Sequence, residues 1–188
     1  MYIIRGAFAG KKLQTPKVST TRPTKSQVRE ALFNILQNQL AGARFLDIFA
    51  GSGCIGLEAM SRGAIHTSFI EKHPAAVQAI VSNVQTLQIQ DRVKIIQGDV
   101  RQEATFKKKA EGPYDIIFMD PPYQEKDLQE LLLNILKKIS SFHLLRDKGK
   151  IFIETSKKSP FTAPAFYHSK IRTYGSTALL ELGLSPFT

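Results

Sequence analysis

The chain has 188 residues, 43% of them hydrophobic, with a formal net charge of +10 and a single cysteine, Cys54. That apolar content suits one packed domain and excludes a disordered chain, while the apolar runs fall far short of the roughly 20 residues needed to cross a bilayer. With one cysteine, no zinc-like Cys/His spacing and an opening MYIIRGAFAGKK too short and too broken by Arg5 for a secretory segment, a cytoplasmic protein without metal is expected, and nothing requires more than a monomer.

The charge is unevenly placed. Residues 1–30 hold seven basic groups against Glu30 alone, and residues 155–188 hold four against Glu181, so nine of the ten excess charges lie at the two ends. Evenly spread charge would serve solubility as well; concentration at the ends points to a polyanionic partner. In chain order, residues 1–16 predict a short hairpin turning at Gly10, with Ile3, Ile4, Phe8 and Leu13 as its apolar positions. A helix over 23–37, capped by Thr24 or Ser26, would bury Val28, Ala31, Leu32, Ile35 and Leu36. From residue 44 the pattern alternates. Strands are predicted at 44–49, 67–71, 92–97, 114–120 and 149–155, with helices at 53–62, 74–87 and 126–140 and a charged, helical connection over 100–110. Two further strands, 165–173 and 176–184, form an antiparallel hairpin around Tyr174-Gly175. Apolar strands with helical crossovers predict an α/β fold, a mostly parallel sheet with helices on both faces. The expected division is a basic extension over 1–40 and a core over 41–188, effectively one domain.

Two constellations carry chemistry. The first is Gly51-x-Gly53-x-x-Gly56, after a strand and opening a helix, with Glu71 ending the next strand. Glycines there let the backbone turn tightly and let a ligand approach, and the acid can accept both ribose hydroxyls of a nucleoside. A nicotinamide dinucleotide and S-adenosylmethionine both satisfy this pattern. Asp99 follows the third strand and suits an adenine amino group or a helix N-cap. Asp47, inside the first strand, needs a buried partner, and a cofactor ammonium group would be one. The candidate cofactor contacts are Asp47, Ala50, Gly51, Ser52, Gly53, Glu71, Lys72, Asp99, Val100 and Asp120.

The second constellation is Asp120-Pro121-Pro122-Tyr123, closing the apolar run of the fourth strand. In an open parallel sheet the ends of the first and fourth strands flank the point where strand order reverses, so this box is expected beside the glycine loop. A hydride-transfer enzyme has no use for it. A methyltransferase acting on a planar exocyclic amine does: an Asp120 oxygen and the Pro121 carbonyl can each bind an N–H, the prolines stiffen both acceptors, and Tyr123 can stack on the base. These four are the candidate catalytic residues. Cys54 is expected to be a small helix residue rather than a nucleophile.

Over essentially its full length the chain resembles the bacterial 16S ribosomal RNA guanine-N2 methyltransferases of the RsmD type. The matching stretches are IIRGAFAGKKL (3–13), TRPTKSQVREALFNIL (21–36), LDIFAGSGCIGLEAMSRGA (46–64), DPPY (120–123) and YGSTAL (174–179). The resemblance implies a Rossmann-like class I fold with a seven-stranded sheet, S-adenosylmethionine as cofactor, and methylation of one guanine amine in a hairpin loop of 16S rRNA in an assembled or nearly assembled small subunit. It implies cofactor contacts at Gly51, Gly53, Glu71 and Asp99, and catalysis at 120–123. Ala7 stands where the family often has glycine, and Cys54 and Ile55 where small or aliphatic residues are common. Arg5, Lys11, Lys12, Arg22, Thr24, Lys25 and Arg29 become the candidate RNA contacts. A DNA adenine-N6 methyltransferase would share the catalytic box but needs a recognition domain for which 188 residues leave little room. A basic RNA-binding assembly factor without catalysis would have no need of the glycine loop, Glu71 or the box.

Overall fold

The computed structural model describes residues 1–16, 26–107, 112–122 and 127–184. Its frame is one seven-stranded sheet: β1 (Arg44–Ile48), β2 (His66–Glu71), β3 (Val93–Gln97), β4 (Tyr114–Met119), β5 (Leu145–Ser156), β6 (Tyr167–Tyr174) and β7 (Thr177–Leu184). The order is β3-β2-β1-β4-β5-β7-β6. The first five strands run parallel, whereas β7 enters antiparallel between β5 and β6. Helices α1 (Ser26–Leu36), α2 (Cys54–Ser61) and α3 (Pro74–Leu87) lie toward one face, and the short α4 (Glu103–Lys107) and α5 (Leu128–Ser141) toward the other. Among the described residues no helix is long and apolar enough to cross a membrane.

Side-chain alternation along each strand divides the core in two. Phe45, Phe69, Phe118 and Phe152 pack under α1, α2 and α3. Leu46, Ile70, Ile117, Met119, Ile151 and Ile153 pack against Leu132, Ile135 and Ile139 of α5 and Phe106 of α4. The strands are therefore apolar on both faces, as a covered parallel sheet requires.

Two expectations needed adjustment. The predicted amino-terminal hairpin reduces to an isolated antiparallel bridge between Tyr2 and Lys12, with Ile3 donating to Lys11 and Gly10 to Ile3. So short a hairpin cannot stand alone. It is held by α2, where buried Glu58 accepts the N–H groups of Ile4 (2.7 Å) and Arg5 (3.0 Å) and the Nε–H of Arg62 (2.7 Å). Ser61 adds two contacts, its Oγ accepting the Phe8 N–H and donating to the Arg5 carbonyl. Gly6 lies so close that a Cβ there would stand 1.9 Å from the Ser61 carbonyl oxygen. Ile3 and Leu13 are buried in the same cluster as Leu32, Phe33 and Phe45. The second adjustment is β5, which begins at Leu145 rather than 149. Leu145 pairs with Tyr114, then the register shifts and Lys150 pairs with Ile116, leaving Arg146, Asp147 and Lys148 exposed in the irregularity.

Candidate active site

Strand order reverses between β1 and β4, and the site is built on their carboxyl ends. Ile48 is level with Ile70 of β2 and Met119 of β4, and Met119 with Ile153 of β5. The next residues along, Phe49, Glu71, Asp120 and Glu154, therefore share one rung. Parity puts Asp47, Glu71 and Asp120 on the face covered by α1, α2 and α3, two residues after or beside Phe45, Phe69 and Phe118. The Asp120-Pro121-Pro122 box and the glycine loop, about 70 residues apart in sequence, thus lie side by side at the carboxyl ends of the two central strands.

The chain leaves β1 through Phe49, whose φ of 64° is left-handed without being glycine, and turns through Gly51 (φ 56°) and Gly53 (φ 76°) into α2. Non-glycine residues in that region carry strain and cluster at functional sites. The three glycines answer three different demands. A Cβ on Gly51 would meet nothing within 4 Å, so this backbone lines open space. A Cβ on Gly53 would come to 3.2 Å from Ile80 and 3.3 Å from Phe69. One on Gly56 would fall 2.4 Å from Phe69 and 2.7 Å from Thr67, so Gly56 lets α2 sit close on β2.

Glu71 is 7% exposed and sits in a cradle of amides. Its Oε2 accepts the Gly51 N–H (2.9 Å), and its Oε1 accepts those of Lys72 (2.8 Å) and His73 (2.9 Å). A carboxylate offers about four acceptor sites, so Oε2 keeps capacity for a hydroxyl donor while the acid fixes the loop. Asp47 accepts the Gly56 N–H at 2.9 Å in full burial. Burial pushes its carboxyl well above the ordinary range, and the neighbouring Asp120 and Glu71 charges push the same way. Such a cluster of acids favours a cationic ligand. Ala50 and Ser52 complete the loop: Ala50 accepts the Gly53 N–H, and the Ser52 carbonyl accepts Nδ2 of Asn83 at 3.1 Å.

Asp99 takes the turn-forming role open to it, its Oδ1 accepting the Arg101 N–H at 2.9 Å. Burial raises its carboxyl, but the Arg101 hydrogen bond and the Arg101 and Lys72 charges outweigh that and hold it below its ordinary value. The Val100 side chain is buried beside α5, and Lys138 donates to the carbonyls of Val100 (2.8 Å) and Arg101 (2.7 Å). At the box, Asp120 is half-buried, Pro121 buried and Pro122 exposed; Tyr123 lies outside the described residues. Cys54 is buried, and burial with the Asp47 charge pushes its thiol up to about 12, which disfavours a thiolate nucleophile.

Of the candidate RNA contacts, Arg5, Lys11 and Lys12 are exposed, while Arg22, Thr24 and Lys25 lie outside the described residues. Arg29 is a correction. It is 8% exposed, so it cannot present its fork to a polyanion on the surface. The helix is rotated from the expected face: Phe33 is buried and Ala31 and Ile35 only half-buried, which carries Arg29 inward. Glu58, Asn83 and Lys138 escaped the sequence reading. An acid amid the apolar run CIGLEAM was the available signal for Glu58; the other two had none.

A family model described as "Conserved hypothetical protein 95" matches residues 1–182. The ribosomal RNA small subunit methyltransferase D of Escherichia coli is 35% identical over 164 residues, covering 87% of this chain and 79% of the relative. YlbH of Bacillus subtilis, given as a candidate rRNA methyltransferase, is 33% identical over 181 residues, covering 95% and 96%. Among solved structures, yhhF of Escherichia coli, given as a candidate methyltransferase, superposes with a TM-score of 0.82 at 30% identity over 99% of both chains. With this coverage, and with the strand order and glycine turn of a Rossmann-like methyltransferase fold, the chain belongs to the family of conserved hypothetical protein 95, that of the ribosomal RNA small subunit methyltransferases D.

Proposed function

We propose that the protein transfers a methyl group from S-adenosylmethionine to the exocyclic N2 amine of one guanine in 16S rRNA of the small ribosomal subunit. The observation that carries the reading is the meeting of Asp120-Pro121-Pro122 with the Gly51–Gly53 loop at the β1/β4 reversal. The cofactor suits the residues present. The open space at Gly51 admits its backbone-hugging part, Glu71 has acceptor capacity for a ribose hydroxyl, and the Asp47, Glu71 and Asp120 carboxylates complement a cation. When bound, it supplies an electrophilic methyl group on a sulfonium sulfur.

The chain's own work is orientation. The lone pair of an exocyclic amine is delocalised into the base, so the nitrogen must be held in line for attack. Asp120 and the Pro121 carbonyl serve as two acceptors for its N–H groups, and the prolines keep them stiff, so little order is lost on binding. No strong base is needed beforehand, because the proton leaves readily once the nitrogen is alkylated. The guanine must leave its stack to reach Asp120, at a cost of a few kcal/mol. Exposed Arg5, Lys11 and Lys12 supply phosphate contacts near the target loop.

The test is transfer of labelled methyl to small subunits lacking the modification, with naked 16S rRNA and duplex DNA beside them and the product nucleoside identified by mass spectrometry. N2-methylguanosine in one rRNA loop is expected; methyladenine in DNA would overturn the substrate. Asp120→Ala is expected to abolish transfer while S-adenosylhomocysteine still binds, and an equal loss of both would refute that division of labour.

A further inference from the structure

One group on the site's side of the sheet has no role in that account. Arg29 on α1 is nine-tenths buried, and among the described residues its Nε and Nη1 have no hydrogen-bond partner. A buried guanidinium with two of its three nitrogens unpartnered is costly to a fold and calls for an explanation, and a ligand that completes it supplies one. Its position is set by Cys54, the first residue of α2. The Cys54 thiol hydrogen-bonds Ser52 and feels the charges of Asp47, Arg29 and Asp120 together. Arg29 therefore lies within charge range of Cys54 at the start of α2, on the face of the sheet that carries the glycine loop, Asp47 and Asp120. Leu32 and Leu36, on the same helix face, pack in one cluster with Ala50 and Cys54.

The charge pattern of that face is unbalanced for the cofactor. The amino-acid tail of S-adenosylmethionine is zwitterionic. Carboxylates at Asp47, Glu71 and Asp120 suit its ammonium and sulfonium groups but repel its α-carboxylate. A buried cation on the Cys54 side of that cluster is what the anionic end needs, and guanidinium matches carboxylate geometry. We infer that Arg29 binds the α-carboxylate of the cofactor's amino-acid tail, from the side of the pocket formed by α1 and the start of α2. The assignment rests on the cofactor reading above. Burial sets it apart from a phosphate contact, which belongs on the surface.

The experiment compares wild-type protein with Arg29→Met and Arg29→Lys in calorimetric binding of two probes. S-adenosylhomocysteine keeps the tail; 5′-methylthioadenosine keeps the nucleoside and thioether but lacks it. Arg29→Met is expected to weaken S-adenosylhomocysteine roughly 10- to 100-fold, the worth of a hydrogen bond to a charged group, and to leave methylthioadenosine unchanged. Arg29→Lys should fall between the two proteins. Ligand-free Arg29→Met should melt no lower than wild type, because it loses a buried charge with two unpartnered nitrogens, and binding of methylthioadenosine verifies its fold. Equal affinity of wild type and Arg29→Met for S-adenosylhomocysteine would overturn the inference with the cofactor reading intact. So would parallel weakening of both probes, or a loss confined to rRNA binding. If neither probe binds wild type, the cofactor reading itself fails.

Discussion

Gly51 and Gly56 belong to one sequence motif and do unlike work. Gly51 borders open space with a left-handed φ of 56°, so Gly51→Ala costs about 1 kcal/mol of backbone strain and places a methyl group in the space proposed for the cofactor. Gly56 has Phe69 and Thr67 against it, so Gly56→Ala overpacks the α2–β2 contact at a cost of about 1–3 kcal/mol. The expected outcome is a crossed pattern. Gly51→Ala should lose more S-adenosylhomocysteine affinity, and Gly56→Ala should lose more melting temperature; the same ranking in both assays would show that the two positions are not specialised. The motif was legible because its spacing follows a strand. The division of labour was not, since it depends on which β2 side chains face α2. Arg29 makes the same point. Residues 29, 32, 33 and 36 also have helical spacing, but an arginine opening that series reads as surface until Phe33 is seen buried.

At the scale of elements, α2 is more than the helix after the glycine loop. All of its residues are buried, and its Glu58 holds the amino-terminal segment as well as Arg62. Glu58→Ala would leave two backbone N–H groups and a largely buried guanidinium without their acceptor, a loss of about 3–5 kcal/mol. Chemical denaturation should show that drop, together with faster hydrogen exchange at Ile4 and Arg5. Unchanged exchange there would mean the segment is held by its apolar residues alone. The order of strands and helices could be read along the chain because each periodic run is bounded by glycine, proline or charge. The ends of β5 could not, because Arg146–Lys148 resemble a turn and only pairing of Leu145 with Tyr114 makes them part of a strand.

For the whole molecule, the parallel sheet and its reversal point followed from alternating strands and crossovers, and they alone bring residue 120 to the loop at 50–53. The concentration of charge at the chain ends was equally plain, but not which charges face outward. Lys11 and Lys12 do. Neutralising both should lower the slope of log affinity for rRNA against log salt by roughly 0.7–0.9 per lost phosphate contact. An unaltered slope would turn this edge of the molecule away from RNA. The amino-terminal segment also reaches the interior through Asn83 of α3. Its Oδ1 accepts the Gln14 N–H at 2.7 Å, and its Nδ2 donates to the carbonyls of Gln14 (3.0 Å) and Ser52 (3.1 Å). Both amide hydrogens are thereby committed, one on each side. One side chain thus ties the first sixteen residues, which Glu58 and Ser61 also hold, to the glycine loop, which Glu71 also holds. Shortening the chain ahead of α1 is thus an edit to the proposed cofactor site, delivered through an amide that neither segment owns.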